Sequence, residues 1–68
     1  MTKEDMKQLT IELARASLEM EISILRVNLI CARLEMYDTY GDQLRSSLDL
    51  AVEIKNWAIM EEYRLISK

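Results

Sequence analysis

At 68 residues, half of them apolar and 31% charged, the chain is too small to close a large core of its own and too apolar for a disordered tail. Its net charge of −3, with nine basic residues dispersed among twelve acidic ones, disfavours nucleic acid, whose binding draws on clustered Lys and Arg. One cysteine and no histidine exclude an internal disulfide and a Cys/His zinc site, so association with another chain is the remaining support for so small a fold.

The first element in chain order is a long helix. Thr2 and Asp5 have capping-box spacing, which starts the helix at Lys3. With no proline anywhere and no glycine before position 41, it is expected to run to about Asp38. Every seventh residue gives an apolar row, Met6, Leu13, Met20, Val27 and Leu34, widened by Leu9, Ala16, Ile30 and Tyr37 and by Ile24 and Cys31. A separate stripe consists of Ile11, Leu18, Leu25 and Ala32 with Ile22, Leu29 and Met36. Polar rows divide the two: Asp5, Glu12, Glu19, Arg26 and Arg33 on one side, Lys7, Glu21, Asn28 and Glu35 on the other. One partner helix covers one stripe, so two stripes call for neighbours on two sides.

Thr39 to Asp42 is the expected turn, with Gly41 in the left-handed conformation that ends a helix and Asp42 capping the next. The second helix is expected over about residues 43–66. Its apolar face carries the rows Leu44, Ala51, Ala58, Leu65 and Val52, Ile59, Ile66, with Leu48 beside them and Leu50, Ile54 and Trp57 extending it. A second helix about ten residues shorter than the first leaves an overhang that contains Met6, Leu9, Ile11 and Leu13. The expected fold is all-α: a single domain over residues 1–68, an antiparallel two-helix hairpin with a long first helix, completing a coiled-coil-like helical bundle by association.

The expected interface comprises Met6, Leu9, Ile11, Leu13, Leu18, Ile22, Leu25, Leu29, Ala32, Met36 and Trp57. Along one polar row the sign reverses halfway, from Glu12 and Glu19 to Arg26 and Arg33. Two copies of the first helix lying antiparallel about an axis near residues 22 and 23 would oppose Glu19 to Arg26 and Glu12 to Arg33. Trp57, with Arg64 one heptad on, has the chemistry of a binding hot spot, although a lone Trp at helical spacing is more often core. Cys31 lies in an apolar row and has no histidine to activate it.

No catalytic, metal or cofactor site is expected. Di-iron bundles use Glu-x-x-His pairs, the segment from Asp38 to Asp42 lacks the spacing of a calcium loop, and no glycine-rich phosphate loop or nucleophile and base pair is present. The most apolar stretch, Ile22 to Leu34, is interrupted by Ser23, Arg26, Asn28 and Arg33, so no membrane span is expected and the location should be cytoplasmic.

The function these features imply is a non-enzymatic protein-interaction module, an adaptor or chaperone-like hairpin that masks a helix of its partner, with no small-molecule substrate. In length, acidic charge and topology the whole chain is similar to the short hairpin co-chaperones of bacterial secretion systems. Two alternatives are a small homodimeric regulator or inhibitor of the kind carried by phages or plasmids, and an RNA-binding four-helix-bundle dimer. The last needs a basic face, which Lys3, Lys7, Arg15, Arg26 and Arg33 do not share.

Overall fold

The computed structural model describes the backbone of residues 2–35 and 37–67, and the side chains of these except 37–39. Two helices, α1 (Lys3–Arg33) and α2 (Tyr37–Ile66), pack along their lengths as a hairpin. The molecule is a rod of 50 × 17 × 14 Å. At the start of α1, Thr2 Oγ1 accepts from the Asp5 N–H at 3.1 Å and Asp5 Oδ2 accepts from the Thr2 N–H at 3.4 Å, a complete capping box.

The turn lies earlier than the sequence places it. α1 stops at Arg33, Leu34 caps it, and Glu35 takes a positive φ of 59°. The Leu34 N–H donates to the Ile30 carbonyl at 3.0 Å and the Glu35 N–H to the Ala32 carbonyl at 3.2 Å, satisfying carbonyls that would otherwise be orphaned at the helix end. Residues 39–42, the expected turn, are helical, and Gly41 has no positive φ. A different feature accounts for this glycine. Positions 41, 44 and 48 continue the heptad spacing of the α2 inner face, and Gly41 is half-buried there.

Moving the turn forward makes the helices equal, 31 and 30 residues. The ten-residue shortfall expected of α2 therefore does not exist, but the Glu21–Lys55 register sets Thr10 level with Leu65, both buried, and leaves the first turns of α1, with Met6 and Leu9 exposed, beyond the end of α2. Nearly equal lengths let most turns of α1 find a turn of α2.

The inner faces differ from the expected ones. On α1, Thr10, Ala14, Ser17, Glu21, Ile24, Asn28 and Cys31 are buried or half-buried, in an unbroken alternation of three- and four-residue steps. This seam runs between the two apolar stripes and includes the Lys7, Glu21, Asn28 row that the sequence reading assigned to a polar divider. On α2 the matching set is Leu44, Leu48, Ala51, Lys55, Ala58, Glu62 and Leu65. With Glu21 opposite Lys55, the antiparallel register sets Ser17 beside Ala58, Ile24 beside Ala51 and Cys31 beside Leu44. Ala51 and Ala58 are fully buried and Ser17 nearly so. Small residues at these levels let the two backbones approach closely.

Polar groups in the seam are mostly satisfied locally. Thr10 Oγ1 donates to the Lys7 carbonyl at 2.8 Å and Ser17 Oγ to the Leu13 carbonyl at 2.7 Å. Lys55 Nζ donates to Glu21 Oε2 at 2.6 Å across the seam, with about four-fifths of each side chain withdrawn from water. Among the described residues one buried side-chain polar atom lacks a partner, Asn28 Oδ1.

Candidate functional site

Because the seam uses small and polar residues, the large apolar ones are displaced to either side of it. At 100° per residue, the Met6–Leu13–Met20–Val27–Leu34 row flanks the α1 seam on one side and the Ile11–Leu18–Leu25–Ala32 row on the other. Antiparallel packing brings the Leu50, Ile54 and Trp57 side of α2 next to the first row and the Val52, Ile59 and Ile66 side next to the second. The hairpin is thus a slab with two apolar faces.

The first face is grooved. Met6, Leu9, Thr10 and Leu13 of α1 meet Trp57 and Glu61 of α2 around one depression, and Leu13, Leu50, Glu53, Ile54 and Trp57 line the next. Trp57 is 57% exposed, so it stands over this groove and is not core. At its edge Arg64 holds the Glu61 carboxylate, its Nε donating to Glu61 Oε1 at 2.8 Å and its Nη2 donating to the same oxygen. This hydrogen bond, more than the Coulomb attraction between the two charges, lowers the Glu61 pKa from its ordinary value, and the same contact raises that of Arg64.

The second face centres on Leu18, Ile22, Leu25 and Leu29, all exposed, with Ile11 half-buried at the seam and Ala32 exposed toward the turn end. Of the interface residues named from sequence, Met6, Leu9, Leu13 and Trp57 therefore share one face and Ile11, Leu18, Ile22, Leu25, Leu29 and Ala32 the other, while Met36 lies outside the described residues. The sequence reading expected a partner helix to cover one stripe of α1, but α2 packs on the seam between the two stripes and covers neither. It also missed what α2 adds to the second face, where Tyr63 and Ile66 are exposed and Ile59 borders them. The signal was present in the row Thr10, Ser17, Ile24, Cys31, which is small at every heptad position but one and marks the side of closest approach.

Glu12, Glu19, Arg26 and Arg33 are exposed along the outer edge of α1, opposite the seam, and border both faces. Among the described residues the ion pairs are Lys55–Glu21 and Arg64–Glu61, and neither uses this edge. Glu12 Oε1 accepts a long bond, 3.5 Å, from Gln8 Nε2. Cys31 is a free, half-buried thiol in the seam.

Two quantities summarise the site. Among the described residues no large side chain is fully buried, whereas eighteen large apolar ones are at least 37% exposed. The accessible surface is 5446 Å², when a compact monomer of this size would show about 4,450 Å². The excess of about 1,000 Å² is of the order that one partner contributes to a standard interface, about 800 Å². Among the described residues no group of acidic or cysteine side chains is arranged to hold a metal, and no helix is long and apolar enough to cross a membrane. Comparison with protein-family models, with curated proteins and with solved structures returns no match.

Proposed function

We propose that the chain is a non-enzymatic protein-interaction module, a small adaptor or chaperone-like hairpin whose two apolar faces are completed by helices of another polypeptide. The observation that carries this reading is what the seam buries and what it leaves out: among the described residues the buried ones are Thr10, Ser17, Ala51, Ala58 and Leu65, of which only Leu65 is large, whereas eighteen large apolar side chains are exposed. A hairpin stable alone would turn its leucines inward, because each fully buried large apolar side chain contributes about 1.5–3 kcal/mol. Extended apolar faces on a small chain mark surfaces that partners cover.

A homodimeric regulator is the second reading, favoured by the sign reversal along the outer edge of α1. Both readings tie folding to association. The test is thermal unfolding of the purified chain over a hundredfold range of concentration, with and without co-expressed candidate partners. A midpoint that rises with concentration, or folding only beside a partner, supports the module. A folded monomer with a fixed midpoint overturns it.

A further inference from the structure

We infer that the face centred on Leu18, Ile22, Leu25 and Leu29 binds a second copy of this chain, the two α1 helices lying antiparallel about a two-fold axis between residues 22 and 24. The inference deepens the proposed function and rests on it, because it names the occupant of one of the two faces.

Two independent features locate the same axis. The first is apolar: the four large side chains are spaced four, three and four residues apart, and their midpoint is 23.5. Under a two-fold axis at that level Ile22 meets Leu25 of the other copy and Leu18 meets Leu29, so the quartet is complementary to itself. The second is electrostatic. Glu19 with Arg26 and Glu12 with Arg33 have a common midpoint of 22.5, one residue or about 1.5 Å away.

The two arginines lack partners in their own helix, whereas Glu12 and Glu19 have Arg15 three and four residues away. Arg26 and Arg33 have no carboxylate three or four residues away on either side, and Glu19 and Arg26 stand about 10 Å apart along the axis. Antiparallel pairing supplies both arginines with carboxylates, four Glu–Arg pairs along the one edge that the two α1 helices share. A parallel pairing would instead set Glu12 and Glu19 level with the same two residues of the second copy. The first face lacks this symmetry, since Ala16 and Ser23 interrupt it at the level of the axis.

On α2 the register that places Glu21 opposite Lys55 brings Val52 close to the axis, so that it faces its own counterpart. Beyond the quartet Arg15 is level with Ala32 of the second copy, where a long stem can lie over a small residue.

The test is sedimentation equilibrium of the full chain at low and at physiological salt. Compared with it are the variants E12R/E19R, R26E/R33E and the combination of all four substitutions. The unaltered chain is expected to be a dimer. Each double variant, which turns four attractive pairs per dimer into repulsive ones, should dissociate about 100-fold more readily, most markedly at low salt. Carrying all four substitutions should restore dimerisation to within about threefold, and mixing the two double variants should give a mixed dimer. All four sites are exposed, and restoration by the fourfold variant separates a lost contact from a lost fold.

A dimer indifferent to these substitutions uses another face, which overturns this inference and leaves the module standing. A chain that folds only beside a different protein does the same. A folded monomer with a concentration-independent midpoint overturns both.

Discussion

Lys55 and Glu21, 34 residues apart in sequence, meet at 2.6 Å across the middle of the hairpin and fix how the two helices are aligned. A shift of α2 by one heptad would place the ammonium beside residue 14 or 28, where there is no carboxylate. Glu21→Ala should therefore destabilise the hairpin by about 2 kcal/mol, because a largely buried ammonium loses its partner. Replacing both residues by leucine should leave stability unchanged or higher, at the expense of a unique register. Denaturant titration of the two singles and the double tests this. A double variant as unstable as the singles would show that the pair supplies net stability.

Ala58 is fully buried in the seam, at the level of Ser17. Ala58→Leu should force the helices apart and destabilise by about 1–3 kcal/mol, as overpacking does. Met60, 72% exposed on the outer side of α2, is the matched control. Met60→Leu should change stability by no more than about 0.5 kcal/mol. Equal effects at the two sites, measured by thermal unfolding, would contradict the close seam.

Asn28 places a buried, unpartnered oxygen in the seam, at the level of Leu48. Asn28→Leu removes that desolvated group and should stabilise the fold by about 1–2 kcal/mol. The urea midpoint reads this directly, and a loss of stability would mean that the amide makes a bond essential to the fold.

Leu25 is half exposed in the hairpin, so Leu25→Glu should cost the isolated chain no more than about 0.5 kcal/mol. In a dimer through this face the same substitution buries an unpaired charge and should dissociate it. Trp57, on the opposite face, reports which surface is used: acrylamide quenching of its fluorescence should be the same in the dimer and in the Leu25→Glu monomer. Protection of Trp57 on dimerisation would place the contact on the grooved face instead.

Much of this architecture is legible in local sequence. The Thr2–Asp5 capping box, two long helices without proline, and two apolar stripes on the first helix all follow from spacing within a few turns. The turn was harder to read, because it depends on Glu35, a non-glycine residue held at positive φ, while the only glycine is absorbed into α2. Turn chemistry favours Gly41, but nearly equal helix lengths favour a turn at Leu34 and Glu35, and packing over about thirty residues outweighs one residue's preference. The seam was obscured for a similar reason. Glu21 reads as a solvated charge until Lys55 is brought to it by the fold, and the Thr10 and Ser17 hydroxyls read as polar until their bonds to their own helix are seen.

Helices of equal length also put residues 3 and 66 at the same end of the rod, with the turn at the other. In the antiparallel pair proposed for α1, the tail of one copy and the head of the next are separated by a helix length of about 45 Å. Two copies fused in tandem could then fold back on each other only through a tether of about 14 or more residues, the shortest extended chain that covers such a gap. A tether of five residues would force the pair into the parallel arrangement or into larger assemblies, so tether length acts as a molecular ruler for orientation.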